Sequence, residues 1–395
     1  VSGVWSKAAR RALALQSVAL FLGMSSWFTA AAVLPQLKAA WALEPVEAAA
    51  LTIAVQLGFV AGALLSALLT LPDRIGPRRL ILVGALLAGA STGALALAAD
   101  LSAGLALRAL TGFGLAFVYP PFVKLVASWF REGRGTAMGV MLGALTLGTA
   151  APHLVRFAGG ADWRLVCLLT AAMSAAGGLL AELAVRDGPF PFARAPFDPR
   201  QIVRVAGCRG ARLAALGYFG HMWELYAMWT WFPAFAGERF AAEGLDASWA
   251  ALYAGLAIAL GVAGCYVGGR LSDRHGRAYA AALAMALSGA VCLSIGWSGL
   301  PFALVLALGA AWGFWVNADS AQFTALVSEL SDQAYVGTAV TVQLALGFLL
   351  TNLTLALIPA LQASLGWGAA FAALAPGPLL GALAMRRLRA SGLAR

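Results

Sequence analysis

Long apolar runs broken by short polar stretches recur from one end of this chain to the other. Twelve stand out, at about residues 12–34, 46–70, 79–99, 103–128, 135–157, 164–185, 211–236, 247–271, 278–297, 301–326, 336–360 and 366–385. Each is near the ~20 residues a helix needs to cross a ~30 Å hydrocarbon core. A soluble helical protein would show shorter helices with polar stripes, which these runs lack. The pattern predicts an all-α membrane protein with twelve transmembrane helices. The longest polar interval, 186–210, holds Pro189, Pro191, Pro196 and Pro199 and reads as a linker. It divides the chain into two six-helix halves, 1–185 and 211–395.

Composition agrees with that pattern and then adds sidedness. The chain is 61% hydrophobic and 11% charged, far below the roughly 25% charge of soluble domains. A net charge of +10 would ordinarily suggest nucleic acid. Here the cations sit in short loops, as orientation signals do. With a cytoplasmic N-terminus, about 21 of the 27 Lys and Arg fall inside, whereas Lys38, Arg156, Arg164 and Arg239 fall outside. Both termini are then expected in the cytoplasm, in the plasma (inner) membrane. The first run is too long for a signal peptide and is expected to be retained. Cys167, Cys208, Cys265 and Cys292 are scattered, so neither disulfides nor zinc are expected. No phosphate-binding loop is present, and no cofactor or metal is expected.

Two loops repeat. Asp73, Arg74, Gly76 and Arg78 follow the second run, and Gly269, Asp273, Arg274, Gly276 and Arg277 follow the eighth, 200 positions later. An acid beside arginines at a glycine turn suits a hinge between two helices at a water face. Gly135-Thr136-Ala137 and Gly337-Thr338-Ala339 open the fifth and eleventh runs, and Trp163 and Trp367 open the sixth and twelfth. In these loops the chain resembles the major facilitator superfamily of secondary transporters, whose signature reads Gly-x-x-x-Asp-Arg-x-Gly-x-Arg. The second copy matches at Gly269, Asp273, Arg274 and Gly276, with Arg277 one place before the final Arg; the first has Leu69 for the leading glycine. The resemblance implies two pseudo-symmetric six-helix bundles, a substrate path lined by the first, fourth, seventh and tenth helices, and gating at the two loops.

Ionisable residues inside a span cost ~2.5–3.5 kcal/mol on insertion scales and are functional candidates by default. Arg108 lies in the fourth run, in an Arg-x-x-x-Gly pattern that resembles a second signature of the superfamily. It would bond backbone carbonyls or bind substrate. Tyr119-Pro120-Pro121 interrupts the same run, and Lys124 follows, close enough to the surface to snorkel. In the seventh run Gly217, His221, Glu224, Met228 and Trp231 fall on one helical stripe. Burial disfavours the charged carboxylate, which makes Glu224 a candidate proton carrier; His221 is a second candidate because histidine is the side chain that ordinarily changes charge near neutral pH. In the tenth run Trp312, Trp315 and Asp319 share a stripe, and Asp319 stands where Tyr119 stands in the first half. Asp319 is a further candidate to carry a proton or a cation, or the partner of Arg108 or Lys124 in a gating salt bridge. Trp27 is the candidate from the first run.

The cavity set is thus Trp27, Arg108, Tyr119, Lys124, His221, Trp231, Trp315 and Asp319, with Glu224, Asp319 and His221 for proton coupling. These residues predict a transporter, not an enzyme, that moves a small polar or anionic organic solute with protons by alternating access. The expected partners are that solute, protons and the lipid bilayer, with no nucleic acid, for a chain working as a monomer. The Trp-rich wall supports an alternative, export of amphipathic or aromatic compounds. A non-transporting membrane sensor would need a longer tail or loop than this chain carries.

Overall fold

The computed structural model describes residues 5–159, 162–190, 207–331 and 336–393. These are helical almost throughout, and among them there is no strand. Among the described residues twelve crossing segments follow one another. In the first half α1 is Lys7–Met24, continued after a break by Thr29–Ala32 and Leu34–Trp41. Next come α2 (Pro45–Leu68), α3 (Pro77–Leu95) and α4 (Leu101–Leu115, then Tyr119–Ala127). The half ends with α5 (Arg134–Gly159) and α6 (Trp163–Ala184). The second half has α7 (Arg209–Ala242), α8 (Ala247–Ala259, then Gly261–His275), α9 (Arg277–Ser294) and α10 (Phe302–Ala318, then Ser320–Leu330). A kink at Gly366 separates α11, residues 336–365, from α12, which ends with Pro376–Ala390.

The sequence pattern counts these helices correctly and places the α4 break within three residues, but misses the breaks in α1, α8 and α10. α1 unwinds at residues 25–28, in a run expected to be continuous. The interruption expected at Tyr119-Pro120-Pro121 comes earlier, at residues 116–118. The prolines lie in the first turn of the next helical piece, where a missing N–H costs no helix bond. α10 breaks at Asp319, the position equivalent to Tyr119. Both fourth helices of the pseudo-symmetric pair are therefore interrupted in mid-span, within three residues of the same place.

Helix starts on one face of the membrane share a device. Asp100, Asp162 and Asp246 precede α4, α6 and α8 and accept from the N–H groups of Ala103, Arg164 and Ser248, which satisfies donors the helix leaves open. The hydrogen-bonded Asp100 carboxyl is held below the usual carboxylate range by the Ala103 N–H, and Asp246 by Ser248. On the other face lie the two repeated loops. Gly76 and Gly276 both have φ +89°, a conformation that side chains disfavour, so the motif glycine makes the same turn twice.

The halves meet along α5 with α8 and α2 with α11. At the loop face, Asp273 Oδ2 accepts from the N–H of Thr136 at 3.0 Å and from its hydroxyl at 2.6 Å. This places a carboxylate on the start of α5, where the helix dipole favours it. The leading glycine of that motif is needed for the same contact: a Cβ on Gly269 would stand 2.7 Å from the Gly135 oxygen. At the opposite face Phe157 of α5 packs on Trp249 of α8.

Candidate functional site

Between these two closures lies a cavity of about 50 Å³, room for a few waters. α4, α5, α7, α10 and α11 all contribute to its wall, so both halves line it. The polar groups on it include Tyr119, Thr146, Tyr218, His221, Asn317 and Ser320. The breaks in α4 and α10 bring Tyr119 and Ser320 to it. A helix break exposes unpaired carbonyls, which is tolerable at membrane depth only beside protein or water.

The central feature is a pair. His221 Nδ1 on α7 stands 2.9 Å from Asp319 Oδ1 at the α10 break. The contact is an ion-pair distance, not an aligned hydrogen bond. The other ring nitrogen, Nε2, faces the Ser320 hydroxyl at 3.4 Å. Both side chains are almost wholly buried, and His221 is itself on the cavity wall. Asp319 thus pairs with a histidine of its own half, not with the Arg108 or Lys124 of the gating alternative.

The α7 stripe drawn from the sequence is displaced by one residue. Tyr218, Met222, Leu225 and Trp229 face the cavity. Gly217 instead packs on Met385 and Phe323, and Glu224 points into the second half. There it accepts from Trp312 Nε1 at 2.5 Å, Ser288 Oγ at 3.0 Å and Cys292 Sγ at 3.1 Å. His221 lies on the boundary between these faces. The sequence of α7 draws attention to the first stripe because it holds His221 and Glu224, whereas Tyr218 and Trp229 on the second read as ordinary membrane aromatics.

Other expected cavity residues lie near the cavity and not on it. Arg108 is fully buried and donates to the backbone carbonyls of Ser26, at 3.0 Å, and Trp27. These carbonyls are freed by the break in α1, which the guanidinium therefore stabilises; its Nε has no partner among the described residues. Trp27 packs on Phe59, Tyr226 and Phe348. Trp231 donates to the Leu355 carbonyl on α11. Trp315 is half-buried against Phe314, and Lys124 is half-buried one turn beyond Tyr119. Trp229, on the wall, has an indole N–H without a partner among the described residues.

At the loops, Arg277 forms a bidentate bridge to Glu329, with nitrogen–oxygen distances down to 2.8 Å. Arg78 donates to the Val185 carbonyl, and Arg74 and Arg274 are exposed. The side chain of Asp73 lies outside the described residues, as do residues 191–206 of the expected linker. Among the described residues no group of three His, Cys, Asp or Glu is placed to hold a metal.

Comparison with known proteins agrees with this architecture. The D-xylose-proton symporter has the same fold at TM-score 0.72 and 16% identity, with 94% of this chain and 96% of that one covered. The probable sulfoacetate transporter SauU of Cupriavidus necator is 27% identical over 221 residues, 51% of each chain. This chain thus spans about half the length of the curated relative it matches. The Major Facilitator Superfamily matches residues 17–350. Members of that family are transporters and not enzymes, and this multi-pass membrane protein belongs to the Major Facilitator Superfamily.

Proposed function

We propose that this chain couples protons to the movement of a small organic anion by alternating access. The observation that supports this most is the His221–Asp319 pair on the wall of a cavity that both halves line. As an ion pair it is neutral overall, which suits a buried site. A proton taken up by Asp319 leaves the imidazolium without its counter-ion. The cavity then carries one positive charge and accepts an anion, which the Tyr218 hydroxyl and the free Trp229 N–H can bind. Loaded and neutral, it can reorient across the hydrocarbon core; loss of the proton re-forms the pair and expels the anion. Glu224, held by three donors away from the cavity, positions α9 and α10 around α7 in this reading.

The two halves, 1–185 and 211–395, rock about this site with 186–210 as the linker. The Lys and Arg asymmetry supports a cytoplasmic side for the repeated loops and both termini; the plasma membrane and a monomeric working unit belong to the same proposal. Sulfoacetate, named for the relative, carries a sulfonate and a carboxylate; with its carboxylate protonated it is the monoanion that this charge balance takes, and it is the first compound to test. Export of aromatic compounds is the second reading, supported by the packed rings of Trp27, Phe28, Phe59, Tyr226, Trp229 and Phe348 beside the cavity.

The test is uptake of labelled sulfoacetate and simple carboxylates into proteoliposomes with an imposed pH gradient. The gradient should accelerate wild-type uptake at least tenfold, the effect of about 1.4 kcal/mol, and His221→Gln should lose uptake. Uptake indifferent to the gradient, with His221→Gln active, would refute the reading. Efflux of aromatic cations in its place would favour the second.

A further inference from the structure

The surface toward the lipid carries a groove of about 510 Å³ between α7, α11 and α12. Its register comes from an antiparallel contact. Gly217 lies against Met385, Gly220 against Gly377, and Trp223 Nε1 donates to the Ala373 carbonyl at 3.1 Å. That carbonyl is freed by the break in α12 before Pro376. Gly220 and Gly377 let the two backbones nearly touch and form the floor.

Leu213 on α7 and Arg387 on α12 mark the mouth, at the face of the repeated loops; Trp223 and Pro376 mark the deep end. From Leu213 to Trp223 is ten residues, about 15 Å of helix. This is half of the ~30 Å hydrocarbon core, the depth of one leaflet. The walls are apolar, with Leu380 and Leu383 strongly exposed. Only the mouth is charged: Arg387 lines it, and Arg209, Arg212 and Arg386 are exposed in the same end turns of α7 and α12. No acidic residue is among its lining.

We infer that this groove holds one acyl chain of an anionic phospholipid, with its phosphate on Arg387. A groove one leaflet deep, apolar along its length and cationic at the water end, complements such a lipid in both shape and charge. A zwitterionic lipid would match the shape alone. A guanidinium also meets phosphate oxygens in a fixed fork. The site is separate from the central cavity, so the inference does not rest on the proposed transport reaction.

Native mass spectrometry of the full chain, released from nanodiscs holding equal phosphatidylglycerol and phosphatidylcholine, tests this. Wild type should retain one phosphatidylglycerol in preference to phosphatidylcholine. Arg387→Gln should reduce that preference about fivefold, the effect of one surface cation near the bilayer, and Arg387→Lys should keep most of it. Leu383→Trp, which fills the groove from its exposed side, should lower retention of both lipids. Circular dichroism checks that each variant is folded. Equal retention of the two lipids by wild type would overturn the inference. So would an unchanged preference in folded Arg387→Gln, or a two-chain mass that Leu383→Trp returns to one chain, which would make the groove a contact between copies.

Discussion

His221, Glu224 and Asp319 were visible in the sequence because ionisable groups in apolar runs are costly. Their partners were not. Ser288 and Cys292 come from α9 and Trp312 from α10, and spacing along a chain reports only neighbours on one helix. The pairing of Asp319 with His221 was hidden for the same reason. The two acids now make different predictions. Glu224→Gln replaces an acceptor by an amide whose N–H₂ meets the Trp312, Ser288 or Cys292 donors. An unsatisfied buried group costs about 1–3 kcal/mol, so the variant should melt lower in detergent at alkaline pH, where wild type presents the carboxylate. If the melting temperature is unchanged while proton coupling disappears, Glu224 is a proton carrier after all.

Among elements, the helix count was legible from run length and the α4 break from its prolines, but the α1 break was not, since Ser25 and Ser26 look like ordinary helix residues. It is visible only with its compensation, Arg108 on the freed carbonyls of α1. The Asp caps act where helices begin. Because the folded Asp100 carboxyl lies below its usual range, its contribution is fully present above that range and is lost as pH falls through the lowered value. Asp100→Ala should therefore lower the melting temperature at neutral pH and erase the acid-side part of its pH dependence. The Asp273 contact with Thr136 predicts a change in accessibility. Cys265 is buried where α8 meets α5, and a Cβ on Gly139 would collide with its carbonyl. In a chain with the other three cysteines replaced by Ser, Asp273→Ala should speed maleimide labelling of Cys265 roughly tenfold, since bonds to a charged group are worth about 1.5–3 kcal/mol. Unchanged labelling would show that the contact does not hold the loop face shut.

For the whole molecule, the offset of 200 residues between the repeated loops already implied duplication. The shared +89° turns of Gly76 and Gly276, and the breaks at residues 116–118 and at Asp319, are its structural form. What sequence could not supply is which faces of the duplicated helices turn toward the seam; that depends on packing between halves, and a one-residue displacement on α7 moved Glu224 out of the cavity. In the proposed cycle protons and anion travel together through the His221–Asp319 site. A pH dye trapped in proteoliposomes measures this directly when sulfoacetate is added outside at equal pH. Acidification of the lumen by wild type, absent in Asp319→Asn although that variant still exchanges labelled sulfoacetate, is the predicted result. Equal acidification in Asp319→Asn, or sulfoacetate uptake by wild type with no change in lumenal pH, would contradict it.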